Sequence, residues 1–480
     1  MNARRGCVIT HVMVVATFLL LARGAQAFDP LRTGGGISAT PAGTIVPNPV
    51  ECQFGPPGTL LLLTEAVERA LCTNPKTRQA WADVKVQAAG LGIARSAYLP
   101  TVSGNGQIIR DDSVTDVSGH PTLSSATLAT MNSESVSLNW TLYDFGARAA
   151  AVRNASALLA AAQSTENATL QSLFVTVAKD YYAAQAAAGA LAAAVDVERM
   201  AGDSAKAAQA RVDKGVAPIS DALQAQTAYT QAVLSRTKAQ GTWETAEGAL
   251  AADLDLSPDV PLQLPDVADG VQPDAAFEQS VGELIEDARS THPSVLAAQA
   301  QVDAAVAKVD QARDQGMPAI SLVSKYSRDN QPASLGLGIP EFPATGHEWY
   351  VGVQVSIPLF EGFNRTYQVR QAQAQLEQQQ YALDDARQQV GLEVWNSYQA
   401  VQTSIDTVRT SATLLDIAQR SFAAAQHRYQ MGVGNILELL NAQTALANAR
   451  QQRVQALSDW RATRLRLAGS LGRLGPENLP

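Results

Sequence analysis

The feature that most constrains the fold is an internal duplication whose two copies lie a nearly constant distance apart. Landmarks of the first copy recur 217 or 218 residues later, pairing Asn74 with His292, Leu142 with Leu359, Arg211 with Arg428 and Gly215 with Gly432. Because proline, glycine and arginine landmarks keep register, chance similarity between alanine-rich helices does not explain the match. The chain therefore carries two copies of one structural unit.

Each copy predicts the same order of elements. These are a helix (Leu62–Tyr98 and Val281–Gly316), two strands (Thr101–Arg110 with Ser135–Leu142, and Ala319–Ser327 with Trp349–Ile357), a long helix (Ala147–Lys214 and Asn364–Met431), a glycine turn and a shorter helix (Ile219–Leu254 and Ile436–Gly469). Pro100 and Pro318 predict where the first helices stop. We therefore expect two repeats at 61–255 and 280–470, a linker at 256–279 and a C-terminal tail at 471–480.

The N-terminus predicts export across the inner membrane. Arg4 and Arg5 precede a short apolar run, and Ala25-Gln26-Ala27 has the small-x-small pattern of a cleavage site. Residues 1–27 are therefore the expected signal peptide, followed by a periplasmic N-terminal extension at 28–60. Removing the signal peptide changes the net charge from −9 to −12, so a nucleic-acid partner is not expected.

Two cysteines remain after the signal peptide, Cys52 and Cys72. In an oxidising periplasm they are able to form one disulfide that ties the N-terminal extension to the first helix. The alternative is two free thiols. The separation favours the disulfide, and the geometry of the folded chain decides between the two.

The strands predict a membrane barrel that several chains share. Apolar Val136, Leu138 and Trp140 alternate with polar Ser137 and Asn139, which suits one face to lipid and the other to water. No later segment is apolar enough for a membrane helix, so only strands in a closed barrel could span the bilayer. About eight strands are needed to close a barrel, and one chain supplies four. We therefore expect a dimer or trimer; the alternative is an ordinary sheet on a soluble core.

The long helices carry heptad rows typical of coiled coils. The predicted seam residues are Leu170, Val177, Ala184 and Leu191 with Phe174, Tyr181, Ala188 and Val195 in the first copy, and Val394, Val401, Val408 and Leu415 with Tyr398, Ile405 and Ala412 in the second. The predicted fold class is an α+β membrane protein, built from duplicated helical coiled-coil hairpins with four transmembrane strands per chain.

Taken together, these features resemble the TolC family of outer-membrane channel proteins over nearly the whole mature chain. The resemblance rests on the strand-exit motifs at 142–146 and 359–363, the Asn74-Pro75 and Leu99-Pro100 landmarks, and the turn motifs that begin at Arg211 and Arg428. It implies a homotrimer with a twelve-stranded barrel in the outer membrane and a helical tunnel in the periplasm. It also implies outer-membrane lipid, a periplasmic adaptor and an inner-membrane pump of the ABC or RND type as partners, and no cofactor.

The cysteines and the Cys72-Thr-Asn-Pro75 motif are similar to the CyaE-type branch of the family, which serves type I secretion. The resemblance also places a gate at the periplasmic end, where the helices turn. The matching gate positions are Asp221, Tyr429, Glu438 and Asn441, and the turns expected to contact the adaptor contain Gly215, Pro218 and Gly432. Gly434 stands where the family can have a gate arginine.

Three Glu438 side chains around one axis, about 8 Å apart at an effective dielectric constant of about 20, would repel pairwise by roughly 2 kcal/mol. The alternative is a solvated carboxylate at a helix tip. No catalytic or metal-ligating cluster is predicted, because the mature histidines His120, His292, His347 and His427 are scattered without partner spacing. We expect a passive duct for protein secretion or small-molecule efflux, not an enzyme. The alternative is a trimeric coiled coil with a structural or adhesive role on the cell surface.

Overall fold

The computed structural model describes residues 29–43, 45, 52, 54, 60–265, 280–330 and 344–474. The expected signal peptide and parts of the expected N-terminal extension, linker and C-terminal tail lie outside these residues. The chain divides into two compact units, and each unit draws residues from both repeats. The first unit holds the described residues up to 37 with 85–159 and 303–377, and the second holds those at 38–84, 160–302 and 378 onward.

Corresponding helices of the two repeats have equal lengths. Along the chain the elements are α1 Leu63–Thr73, α2 Pro75–Ser96, β1 Thr101–Thr115, β2 Ser125–Tyr143, α3 Ala147–Asp213, α4 Ile219–Asp253, α5 Val281–Thr291, α6 Pro293–Asp314, β3 Ala319–Asp329, β4 Gly346–Ser356, α7 Asn364–Gln430 and α8 Ile436–Ser470. The long helices α3 and α7 have 67 residues each, and α4 and α8 have 35 each. The duplication is thus present in the backbone as well as in the sequence landmarks.

The first predicted helix of each repeat is in fact two helices, so the continuous helices expected at Leu62–Tyr98 and Val281–Gly316 are wrong. Asn74 and His292 interrupt them with extended ψ angles of 134° and 132°. A proline follows each of these residues, and its ring clashes with an α conformation at the residue before it. The Asn-Pro and His-Pro landmarks therefore mark a joint between two helices.

The four strands form one antiparallel sheet in the order β1-β2-β3-β4. β2 of the first repeat pairs with β3 of the second, so the sheet joins the two copies. β3 and β4 have 11 residues each, close to the expected ten. β1 and β2 are longer, with 15 and 19 residues, because their ladder continues to the pair Thr115 and Ser125 through residues expected in the connecting loop.

The strand register separates apolar and polar residues onto opposite faces of the sheet. Val136 is paired with Tyr326, which is paired in turn with Trp349. One position along, Ser137 is paired with Lys325. Since successive side chains of a strand point to opposite faces, the alternation expected from the sequence gives the part of this sheet next to the helices one apolar and one polar face.

The seam of α3 is buried as expected over its middle part, which includes Leu170, Phe174 and Val177, but Val195 is exposed. In α7 the row of Val394, Val401 and Val408 is also buried. Of the second row expected there, Ile405 packs against the core that contains Val408, whereas Tyr398 is half-buried and Ala412 is exposed. The buried row instead contains Ser397, Ser404, Ser411, Ala418 and Ala425.

Small residues occupy this α7 row, which lets a neighbouring helix approach closely. The hydroxyls of Ser404 and Ser411 donate to the carbonyls of Val401 and Val408 in the same helix, and this satisfies hydroxyl groups that burial removes from water. None of the described helices contains an apolar stretch long enough to cross a membrane.

A core of the second unit lies where α1 packs on α3 and α4. Phe174, Leu71 and Leu250 are fully buried there. The structure joins Cys52 to Cys72 by a disulfide, and Cys72 belongs to this core. The covalent link therefore holds a residue of the N-terminal extension against the core.

Candidate functional site at the hairpin turns

The two helical hairpins, α3–α4 and α7–α8, reverse direction through the same backbone turn. Gly215 and Gly432 have φ angles of +71° and +80°, which a residue with a Cβ rarely adopts. The amide of Val216 donates to the carbonyl of Arg211 at 3.0 Å, and the amide of Val433 donates to the carbonyl of Arg428 at 3.1 Å. These bonds satisfy carbonyls at the C-terminal ends of α3 and α7.

The residues that follow the two turns begin the next helices differently. Asn435 caps α8, because its side-chain oxygen accepts a hydrogen bond from the amide of Leu437 at 2.9 Å. Pro218, at the matching position before α4, makes no side-chain capping bond. The next residue is Ile436, 1% exposed, in the second repeat and Ile219, 69% exposed, in the first.

Gly434 has no room for a side chain. A Cβ at this position would lie 2.8 Å from the amide nitrogen of Tyr429 and 2.9 Å from the carbonyl carbon of Arg428. Both neighbours are backbone atoms that cannot rotate away. The close approach explains why position 434 holds glycine.

Tyr429 is buried at the end of α7, and Arg211 of the first repeat binds it. The Arg211 Nη1 donates to the carbonyl oxygen of Tyr429 at 2.8 Å, and its guanidinium lies over the tyrosine ring, 4.9 Å from the centroid. A cation at this place also meets the partial negative charge of a helix C-terminus. Arg211 therefore joins the turn regions of the two hairpins.

The Tyr429 hydroxyl makes no hydrogen bond with any residue that the structure describes. Burial raises the pKa of this hydroxyl, while the charge of Arg211 lowers it and the Asp221 carboxylate raises it. Asp221 is therefore close enough to act on the ring electrostatically without bonding to it. Of the expected gate residues, these two are brought together.

Glu438 is paired within its own hairpin. Its Oε1 lies 3.0 Å from Nη1 of Arg428, and both side chains are about half exposed. Such an exposed pair contributes at most about 1 kcal/mol to stability, but it places a positive charge beside the carboxylate. Asn441 is exposed on α8 one turn further along.

Arg211 and Arg428 are site residues that were not predicted from the sequence. Each stands ten positions before an acidic residue, Asp221 or Glu438, in matching places of the two repeats. That repeated spacing was the available signal. The pairing was not predictable from it, because Arg428 bonds the acid of its own repeat whereas Arg211 bonds Tyr429 of the other.

A groove of about 810 Å³ lies between α3 and α4 next to the first turn. Its lining includes Glu198, Asp203, Lys206, Tyr229 and Arg236, so charges of both signs border it. Among the described residues, no group of three or more histidine, cysteine or acidic side chains is placed to hold a metal ion.

A model of the family described as "Outer membrane efflux protein" matches residues 66–254 and 284–473, one match in each repeat. The chain belongs to this family of outer-membrane channels, the TolC family. Protein CyaE of Bordetella pertussis is a family member 32% identical to it over 481 residues, which cover 98% of this chain and 96% of CyaE. The alkaline protease secretion protein AprF of Pseudomonas aeruginosa is 28% identical over 196 residues, 40% of this chain and 39% of AprF.

The fold of the channel agrees with a solved family structure. The open-state MtrE outer membrane channel of Neisseria gonorrhoeae superposes with a TM-score of 0.71 at 20% identity, covering 86% of this chain and 90% of that one. This TolC-family member is therefore an outer-membrane export channel whose helical part lies in the periplasm. The family consists of channels rather than enzymes, and the interpretation as an adhesive coiled coil is set aside.

Proposed function

We propose that three copies of this chain form the outer-membrane duct of a type I protein-secretion system, closed at its periplasmic end by the hairpin turns. The observation that carries the secretion assignment is the 32% identity to CyaE across 98% of the chain. The match to AprF, whose name specifies protease secretion, points to the same class of cargo. In this assignment the inner-membrane pump is of the ABC type, and an RND pump fits the alternative of small-molecule efflux.

The sheet supports a shared barrel. It has one apolar face for lipid, and it ends in two edge strands, β1 and β4. Unpaired strand edges are not stable in a bilayer, because their backbone groups would lack hydrogen-bond partners. Three chains that pair β4 of one copy with β1 of the next would give twelve strands and leave no edge.

The turns have the chemistry of a docking surface for the periplasmic adaptor. Exposed apolar side chains surround Gly215, Pro218 and Gly432, namely Val216, Ile219, Leu223, Met431 and Val433. The charged groove between α3 and α4 lies next to the first turn. An adaptor helix with an apolar stripe and flanking charges would bury these residues.

The gate consists of Asp221, Tyr429, Glu438 and Asn441 together with Arg211 and Arg428. Arg211 holds the end of α7 against the first hairpin, so the opening of the tips requires its release. Arg428 partly neutralises Glu438, so the carboxylates at the constriction repel one another less than bare carboxylates would.

Single-channel recording in planar bilayers tests the gate. Arg211→Ala should raise the open probability, and Glu438→Ala or Asp221→Ala should raise conductance and weaken block by multivalent cations. Arg199→Ala is the matched control, since Arg199 is an exposed arginine of α3 with a local pair to Asp196. Traces that stay at the wild-type level in all three variants would remove these residues from the gate.

A deletion strain tests the cargo class. Loss of the chain should abolish secretion of proteins into the medium and leave susceptibility to dyes and antibiotics unchanged. The opposite pattern, normal secretion with increased susceptibility, would refute the secretion assignment and favour efflux.

A further inference from the structure

The joints at Asn74 and His292 occupy equivalent positions in the two repeats, and each side chain caps the helix that follows it. Asn74 Oδ1 accepts a hydrogen bond from the amide of Lys76 at 3.0 Å. His292 Nδ1 accepts one from the amide of Ser294 at 3.2 Å. Each thus satisfies an amide in the first turn of α2 or α6 that has no partner within its own helix.

The same two side chains also hold the end of the last helix in their repeat. Asn74 Nδ2 donates to the carbonyl of Asp253 at the end of α4, at 3.1 Å. The backbone of Gly469 at the end of α8 also acts on the His292 imidazole, as a hydrogen-bond acceptor that favours its charged form. The contact there is close, because a Cβ on Gly472 would lie 3.2 Å from Cδ2 of His292. Each joint is therefore a clasp between the start of one helix and the end of another.

The two clasps differ in their response to a proton. The asparagine amide does not titrate, so its acceptor oxygen is unchanged by acid. His292 serves as a cap only while Nδ1 is unprotonated, because a proton there places two N–H groups face to face. The hydrogen bond from the Ser294 amide therefore depends on the protonation state of His292, whereas the equivalent bond to Asn74 does not depend on pH.

The surroundings of His292 oppose protonation. Burial lowers the pKa of the imidazole, while the Glu393 carboxylate of α7 and the bond to Gly469 raise it. From α5 and the segment after α8, the nearby charges Asp287 and Arg473 neutralise each other as an ion pair. The hydrogen bond from the Ser294 amide to His292 is thus present at neutral pH and is lost in acid.

We propose that His292 is an acid-labile cap of α6 in the second repeat, which releases the first turn of α6 when the imidazole gains a proton. The Asn74 clasp stays closed under the same conditions. Its titratable neighbours are the carboxyls of Asp253 and Asp180, flanked by Lys76 and Lys179, and a proton there reduces repulsion. This proposal does not depend on the cargo or on the gate residues.

Hydrogen exchange of the full-length protein in detergent tests the proposal with a matched pair of swaps. At about pH 5 compared with about pH 7.5, and after correction for intrinsic rates, wild-type amides near residues 292–296 should lose roughly tenfold in protection. Amides near residues 74–78 and 251–256 should not, nor should those near 467–473, because the bond between the imidazole and Gly469 favours the charged form. His292→Asn should remove the acid response, and Asn74→His should transfer it to the first repeat.

Two results would overturn the acid-labile cap of α6. One is a full acid response at the second joint in His292→Asn, and the other is an equal loss of protection at both joints in the wild type. A second measurement needs no variant: exchange at the imidazole C2 position gives the pKa of His292 in the native protein. A value at or above about 6.5, the value of a free histidine, would also contradict the proposal.

Discussion

The two hairpin turns share a backbone but differ in what their side chains do. At the second turn Tyr429 and Ile436 are buried and Asn435 caps the helix. At the first turn the matching residue Ile219 is exposed, and Pro218 supplies no side-chain cap. The difference teaches that the duplication fixed the path of the chain, whereas later divergence decided whether the first residue of the returning helix is buried or exposed.

The arginines before the turns show the same division. Arg428 bonds Glu438 in its own hairpin, but Arg211 reaches Tyr429 in the other. A symmetric pair of repeats would have two local ion pairs and no arginine between the hairpins. The contact between hairpins therefore exists because the repeats diverged at these positions.

The largest expected effect tests the difference between the buried Ile436 and the exposed Ile219. Ile436→Ala should lower the local free energy of unfolding of the second tip by about 2 to 5 kcal/mol, because it removes a fully buried side chain and leaves a cavity. Ile219→Ala should change the first tip by no more than about 0.5 kcal/mol. Hydrogen exchange of amides at 425–450 and 208–232 measures both. A large effect of Ile219→Ala would mean that another chain covers this residue in the assembled channel.

A second effect of comparable size concerns the disulfide, which only the first repeat has, since Ser290 stands at the position that matches Cys72. Cys52→Ser should destabilise the core around α1 by about 3 kcal/mol, because the open chain gains conformational freedom when it unfolds. Thermal unfolding followed by circular dichroism measures the shift. Reductant should lower the midpoint of the wild type and leave that of Cys52→Ser unchanged; a reductant effect in the variant would argue against this assignment.

The smallest expected effect concerns the C-terminal ends of α4 and α8, which differ in their response to pH. Burial, together with the hydrogen bond and charge of Asp180, raises the pKa of Asp253 to about 6, against the opposing charges of Lys76 and Lys179. Because the folded pKa is above the unfolded one, the stability from this group is full below about pH 4 and is lost as the pH rises through about 6. Ser470 matches Asp253 in the second repeat and does not titrate.

Asp253→Asn should therefore stabilise the first repeat modestly at about pH 7.5 and remove this part of the pH dependence. The measurement is best made in the His292→Asn background, so that the second joint does not titrate in the same range. An unchanged pH profile of amide exchange near residues 251–256 would show that Asp253 does not share a proton with Asp180.

Local chemistry let the sequence predict most element boundaries. Glycine turns and proline landmarks placed the ends of α3, α4, α7 and α8 within one residue of those observed. The breaks at Asn74 and His292 follow from an equally local rule, the effect of proline on the residue before it, and were predictable. Each proline is also a landmark of the repeat, and this role drew attention away from its effect on the helix.

Other features depended on packing that a single sequence does not reveal. The buried row of Ser397, Ser404 and Ser411 in α7 resembles a solvated face in the sequence. The hydroxyls of Ser404 and Ser411 bond carbonyls of their own helix, so they carry no sign of burial. The contact of Arg211 with Tyr429 joins residues 218 positions apart. Only the folded arrangement decides which of several nearby groups an arginine reaches.

The ladder between β2 and β3 sets the order in which the protein can mature. Ser135 is paired with Ser327, yet α3, α4, α5 and α6 all lie between them in the chain. As the polypeptide emerges into the periplasm, β2 of the β1–β2 hairpin stays unpaired along one edge until β3 of the second repeat has been exported. The two repeats are thus copies of one segment, but neither completes its sheet without the other.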